Sequence, residues 1–444
     1  MLAVSLLLAG AGWPTYQHDP GRSGSTTDPA LSPASAGRLT LAWTFQTGGA
    51  IAAQPVIVGN IVYIGSWDGY EYALDATSGA LRWKADLGRS LGTTGFCAPM
   101  GVSATPTVTG GILYVGGGKP FFYALRVSDG HVLWKIRTGD ERQNGRYYNW
   151  ASPLIYRGSA YLGVASRCDE PLVPGALLQA DLGGKHRVLH TFAVVPKGQL
   201  GGAIWTTPAL DRKAGTIFVS TGNEGRLPAS SQRYARAVIA LSTTLRVRSV
   251  WQLPDSQVST PDSDWSGTPT LFTGSGGTAM LATVNKNGYV YVFDRRHLVR
   301  GPTWRSQIAN PDLNVSSTSF GGGLLYAAGS KGSRQGHVYA GSVRALDPAT
   351  GAVVWLATTS APVWPALTYA NGLVIDGAGS VLQVRDARTG GLLFHYRTGG
   401  RLYGPASAGD GRLFTGSSDG RIYAFTPPPA STARGNTRSE GQAI

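Results

Sequence analysis

Two aspartates and a lysine lie close together in the stretch DSDWSGTPTLFTGSGGTAMLATVNKNGYVYVFDR, Asp262 to Arg295. Asp262 and Asp264 precede a turn, and Lys286 sits in an N-K-N-G step between two runs rich in β-branched and aromatic residues. Alternation on both sides of an Asn-Gly step predicts a β-hairpin. The stretch thus puts a carboxylate able to take a proton, and a cation able to hold developing negative charge, on adjoining loops of one sheet. By itself N-K-N-G is ordinary turn chemistry with a solvated lysine, so the surrounding elements decide what it does.

Those elements are repeats. QPVIVGNIVYIGSWDGYEYALDATSGALRWKADLG (Gln54–Gly88) recurs as TPTVTGGILYVGGGKPFFYALRVSDGHVLWKIRTG (Thr105–Gly139), each copy reading as four short strands. A Gly-x-x-x-Trp step marks Gly79/Trp83, Gly130/Trp134 and Gly351/Trp355, with Phe394 in the ring's place after Gly390. Glycine there predicts a turn with positive φ, and the large ring a wedge between neighbouring sheets. Divergent copies start near Ser152, Thr207, Thr268 and Ser319, and a regular one near Pro365. Insertions at Arg167–Pro174 and Glu224–Arg236 lengthen the loops on one side. The last copy, Leu402–Phe425, lacks its Trp strand, whereas Leu39–Gly48 is a Trp strand with no unit before it. Joining the two closes a ring and leaves no open edge. The expected fold is all-β: an eight-bladed β-propeller over residues 13–426, with four-stranded antiparallel blades and the last blade closed by the N-terminal strand. A solenoid would carry caps at its ends instead.

Composition narrows the function classes. The formal net charge is +14, but the basic residues are scattered, mostly as single arginines, which reads as a solvated surface and not a nucleic-acid footprint. Residues 1–12 look like the end of a secretory signal, with LAVSLLLA followed by A-G-A, and no other stretch reaches transmembrane length. The expectation is a secreted, periplasmic or cell-envelope protein, ending in a disordered tail over 427–444. The only cysteines, Cys97 and Cys168, read as one disulfide or as two buried thiols, and no C-x-x-C-H is present for covalent haem. G-x-S-x-G, H-E-x-x-H and the P-loop are absent, and no histidine has metal spacing.

With the repeats in place, the chain resembles the quinoprotein dehydrogenases, eight-bladed propellers that bind pyrroloquinoline quinone (PQQ). WPTYQHDPGRSGST (Trp13–Thr26) with the RLTLAWTFQTG that follows is similar to the family's N-terminal pattern. GGAIWTTPALD (Gly201–Asp211) resembles the segment whose Trp floors the quinone ring, which implies that role for Trp205. TIFVSTGNEG (Thr216–Gly225) resembles the turn whose Asn ligates calcium, implying Asn223, and RCDEPLVPGALLQAD (Arg167–Asp181) implies Glu170 as a carboxylate ligand. Asp264 takes the place of the catalytic Asp and of a further metal ligand, with Asp262 as the fallback. Lys286 takes that of the cation that polarises a quinone oxygen, with Asn287 beside it as a cofactor contact. The resemblance implies PQQ- and calcium-dependent oxidation of a small or polymeric alcohol, with an external electron acceptor such as a cytochrome. It also implies a Cys97–Cys168 bond bracing the loop of Glu170. Several features depart from the pattern: the adjacent cysteine pair of blade two is reduced to Cys97, no Arg occupies that loop, and NWASP brings Trp150 where a Thr is usual. In these the chain is nearer the divergent branch that includes polyvinyl-alcohol dehydrogenases. The repeats alone are shared with non-catalytic propellers, so a scaffold or binding protein of the cell envelope is the alternative. A propeller hydrolase or lectin-like module is a third, and it would want paired carboxylates across the funnel.

Overall fold

The computed structural model describes residues 12–91, 100–143, 146–169, 171–225, 231–334 and 336–427. The signal-like residues 1–11, Cys97, Glu170 and the tail beyond 427 lie outside the described residues.

Among the described residues, eight four-stranded antiparallel blades follow one another along the chain, Ser25–Thr26 adding in parallel to one and Tyr147–Tyr148 to another. Blade 1 is the pattern: Val56–Val58, Ile61–Gly65, Tyr70–Asp75 and Leu81–Asp86, paired in that order. The first strands of successive blades touch one another around an axis, whereas the fourth strand alternates exposed and buried residues at the rim. Blade 8 takes Ser407–Gly409, Arg412–Gly416 and Arg421–Thr426 from the C-terminal end and Thr40–Gln46 from the N-terminal end. The register runs from Thr40 opposite Thr426 to Gln46 opposite Arg421. The chain is therefore an eight-bladed β-propeller closed by its N-terminal strand, and no strand of the ring is left as an open edge between blades.

The Gly-x-x-x-Trp step works between blades. Gly79 and Gly130 both have φ of 73°, and a Cβ at either would fall 2.6 or 2.5 Å from the Trp43 or Trp83 ring. Each glycine seats the indole of the preceding blade, and the indole Nε1 donates to a carbonyl of the same turn: Trp43 to Ala76 O at 3.1 Å, Trp83 to Val127 O at 2.8 Å. A side chain at the glycine would expel the ring, and a smaller residue at the tryptophan would leave a void.

Two devices tie the blades together at the axis. At the start of the first strands, each hydroxyl accepts from the backbone of the blade before it. Gln54 N donates to Thr105 Oγ1 (2.8 Å), Thr105 N to Ser152 Oγ (3.0 Å) and Ser152 N to Thr207 Oγ1 (3.1 Å). Thr207 N then donates to Thr268 Oγ1 (3.1 Å) and Thr268 N to Ser317 Oγ (2.9 Å). The second device is the arm Trp13–Thr26, which crosses one end of the axis and acts as a hub. Carbonyls of Pro14, Pro20, Gly21, Ser23 and Gly24 accept from Val108, Leu210, Leu271, Phe320 and Tyr369, the first strands of blades 2, 4, 5, 6 and 7. Trp13 pairs with Ile57 of blade 1. Arg22, fully buried, donates to Pro208 O, Thr15 Oγ1, Tyr16 O and Pro153 O, and burial lowers its pKa to about 10.

Candidate active site

The arm closes one end of the axis, and a cavity of about 520 Å³ opens at the other. Every blade contributes to its wall; Tyr16 of the arm and the hydroxyls of Thr105, Ser152, Thr207, Thr268 and Ser317 line its depth. Across the wall of blades 1, 8 and 7, Trp67, Tyr403 and Trp364 form a ladder of nearly parallel rings. Centroid spacings are 5.7 and 6.1 Å at interplanar angles of 17° and 10°.

Asp264, Lys286 and Trp205 meet on the opposite wall. The hairpin expected around N-K-N-G is present, Ala279–Asn285 pairing with Tyr289–Asp294. Its turn is locked: Gly288 has φ of 91°, and Asn285 Oδ1 accepts from Asn287 N at 2.9 Å. The turn also holds the D-S-D loop, through Asn285 Nδ2 to Ser263 O (3.0 Å), Lys286 N to Asp264 O (3.1 Å) and a bridge between Trp265 and Asn285. Trp265 is fully buried against Trp251 and Tyr291, and Asp264 beside it faces the cavity. Lys286 Nζ stands 2.8 Å from Asp264 Oδ1 and 2.8 Å from Asp262 Oδ1. Trp205 Nε1 donates to Asp264 Oδ2 at 3.0 Å, and Lys286 Nζ lies 5.3 Å from the Trp205 ring centroid, within cation–π range.

The two carboxylates differ because their surroundings differ: the Asp264 side chain is 4% exposed and that of Asp262 59%. Burial pushes Asp264 up to about 6, with the Asp262 charge adding to the rise and Lys286 and Trp205 opposing it. Burial also raises Asp262, but the Lys286 charge and the hydrogen bonds from Lys286 and Asn223 prevail and hold it below the ordinary carboxylate value. Burial alone would lower Lys286; the two aspartates outweigh it and keep the ammonium charged. The site is a buried carboxyl with its pKa raised to about 6, next to a charged lysine.

The other expected residues are placed as follows. Asn223 lies behind Asp262, to whose Oδ1 its Nδ2 donates at 2.8 Å; its own Oδ1 is buried and has no partner. Asn287 is not in the cavity wall. Its Nδ2 donates to Gln257 O and Tyr291 Oη, and its Oδ1 accepts from Tyr289 N, because the position after Lys286 turns its side chain into the hairpin. Glu170 and Cys97 lie outside the described residues, and no free cysteine occurs among those described. Among the described residues no group of three His, Cys, Asp or Glu side chains is arranged to hold a metal ion. The aromatic ladder, whose members come from blades far apart in the chain, and Arg167 as a cation of the wall carry no local sequence signal.

The family model PQQ_2, described as outer membrane protein assembly factor BamB, matches residues 30–297 and 286–428. The chain belongs to that family of PQQ-type repeat propellers. It is 24% identical over 319 residues to a polyvinylalcohol dehydrogenase of a Pseudomonas species, covering 60% of this chain and 46% of that protein. To a quinohemoprotein alcohol dehydrogenase of Comamonas testosteroni it is 24% identical over 326 residues, covering 64% and 45%. The chain thus spans about half the length of the curated relatives it matches. The crystal structure of the Comamonas testosteroni quinohemoprotein alcohol dehydrogenase superposes with a TM-score of 0.75 at 18% identity, over 94% of this chain and 80% of that one. That likeness establishes the shared propeller. No helix among the described residues is long and apolar enough to cross a membrane.

Proposed function

We propose that the chain is a PQQ- and metal-dependent dehydrogenase that oxidises an alcohol. The observation that carries the reading is the meeting of Trp205, Asp264 and Lys286 at bonding distance on the wall of the axial cavity. The residues present fit the cofactor: a flat indole, a charged ammonium near its ring, and a buried amide oxygen of Asn223 with no donor. Bound there, PQQ would supply the ortho-quinone that accepts the electrons of the alcohol.

The chain's own residues divide the remaining work. Asp264, with a pKa raised to about 6, is ionised at neutral pH yet basic enough to take the hydroxyl proton of the alcohol. Lys286 offsets the negative charge that grows at the reacting centre, and Asp262 keeps Lys286 protonated from the solvent side. Trp205 would lie under the ring of a bound cofactor, and its Nε1 orients the Asp264 carboxylate. Asn223, Asp264 and Glu170 are the proposed oxygen ligands of a calcium ion, a cation that takes carboxylate and amide oxygens. Asn287 is spent on its hairpin and would shape the turn under Lys286 rather than touch the cofactor. A Cys97–Cys168 disulfide is proposed to brace the loop that bears Glu170; the lack of a free thiol at Cys168 supports it. The substrate is a small or polymeric alcohol, the acceptor an external carrier such as a cytochrome, and the site of action the periplasm or cell envelope.

Titration of the purified protein with PQQ, with and without calcium, tests this through tryptophan fluorescence and dye-linked oxidation of a panel of alcohols. The reading expects calcium-dependent quenching with turnover, and turnover lost in Asp264→Ala. Absence of PQQ binding at micromolar concentration would leave the alternative, a scaffold propeller of the cell envelope, which the description of the matching family model supports.

A further inference from the structure

Arg167 follows the Ser159–Ser166 strand of blade 3 and lines the cavity, but it takes no part in the Asp–Lys cluster. It is 7% exposed. Its Nη1 donates to Leu91 O at 2.9 Å, while its Nε is buried without a partner. Other arginines withdrawn from water are compensated: Arg236 by Glu224 at 2.6 Å, Arg295 by Asp211 at 2.8 Å and Arg385 by Asp376 at 2.9 Å. Arg22 has no carboxylate but four oxygen acceptors. Among the described residues Arg167 has neither. Asp169, two positions on, accepts from Ser166 Oγ and makes no ion pair with it.

A guanidinium cannot shed its proton, so a buried one without a counter-charge is costly unless something supplies the charge. The backbone that carries it is nevertheless held in place. Trp150 Nε1 donates to Ser166 O at 3.1 Å and to Arg167 O at 3.0 Å, and Arg167 N donates to Arg146 O at 2.9 Å. Lys286, the other cation of the cavity wall, is already neutralised by two aspartates. Among the described residues, an anionic ligand entering the cavity therefore finds one lining cation, Arg167, without a counter-charge, presented by a braced backbone.

We infer that Arg167 anchors a carboxylate of the ligand that fills the cavity. The ligand is then a flat acid, held through its negative group by blade 3 while Trp205 and Lys286 hold it from blades 4 and 5. The inference rests on the proposed function for the name of that acid, PQQ, but not for its charge. It also assigns Trp150 the role of fixing the backbone that carries the anchor.

The test compares wild type, Arg167→Gln and Arg167→Lys by fluorescence quenching and thermal shift, with calcium present. Three probes are used: PQQ, the carboxylate-free quinone 1,10-phenanthroline-5,6-dione, and benzene-1,3,5-tricarboxylate. Losing a charge-assisted, fork-shaped contact is expected to weaken PQQ binding about 30-fold in Arg167→Gln and less in Arg167→Lys. Binding of the carboxylate-free quinone should stay the same. The melting temperature of ligand-free Arg167→Gln should match or exceed wild type; a merely structural arginine would lower it. Equal PQQ affinity in wild type and Arg167→Gln overturns the inference and leaves the PQQ reading intact. Tricarboxylate binding without PQQ binding, lost in Arg167→Gln, supports the anchor and sinks the PQQ reading. If wild type binds neither acid, both fall. Should Arg167→Gln fail to fold, Arg167→Lys decides, since undiminished PQQ affinity there refutes the fork-shaped contact.

Discussion

Asp264→Asn isolates the electrostatic cost built into the cavity wall. Burial holds the Asp264 carboxyl up to about 6 against an ordinary value of 3.8. A gap of about two pH units corresponds to ~3 kcal/mol of stability. The folded value lies above the unfolded one, so what this group contributes is fully present below pH 3.8 and is lost as pH rises through about 6. Asparagine cannot ionise and removes that loss. It also brings a fixed mismatch, since Lys286 and Trp205 both present donors to the two oxygens of Asp264. The mismatch does not depend on pH, so the difference between two pH values cancels it. Asp262 remains in both proteins, held against burial below the ordinary carboxylate value chiefly by the Lys286 charge. Urea unfolding of both proteins at about pH 4 and about pH 8 should therefore show the variant gaining on wild type by roughly 2–3 kcal/mol between the two. Parallel stability curves would refute the assignment of a raised Asp264, and with it the case for a base poised near neutrality.

Two further outcomes follow from groups remote from the cavity wall. Glu71 is fully buried with neither carboxylate oxygen bonded, and burial holds its pKa well above 4.5. Glu71→Gln should raise the melting temperature increasingly as pH climbs above 4.5, and a pH-independent change in thermal scans would contradict this. Trp83→Ala empties the seat over Gly130 and deletes the bond to Val127 O, so urea unfolding should show a loss of about 3–5 kcal/mol; a loss below 1 kcal/mol would deny the indole its role as a fastener between blades.

The ring was legible in the sequence because its fasteners repeat. Gly79, Gly130, Gly351 and Gly390 each stand four residues before an aromatic ring, and the unmatched ends of the chain complete each other. That Trp205, Asp264 and Lys286 meet at the cavity wall was legible because local pattern and family resemblance coincide on them. Asn287 was less so: in a tight turn neighbouring side chains point to different sides, and its amide is spent on the hairpin that presents Lys286. The Trp67–Tyr403–Trp364 ladder could not be read locally, since ring closure brings together residues some 300 positions apart. The hub role of Trp13–Thr26 was likewise hidden, because its backbone carbonyls do the binding and leave no trace in residue type.

Closure by the N-terminal strand also governs how the protein is made. Thr40 and Thr426, which meet in blade 8, are 386 positions apart. At about 5–20 residues per second, the first strand waits roughly 20–80 s on the ribosome for its partner. Through that interval Trp43 lacks blade 8 beside it, and the hub arm has too few first strands to bind. A nascent chain with an unpaired strand of this kind is a target for holding factors and a substrate for swapping with a second copy. Premature termination anywhere before Arg421 leaves that strand unpaired for good, so truncated products should be cleared rather than accumulate as partial rings.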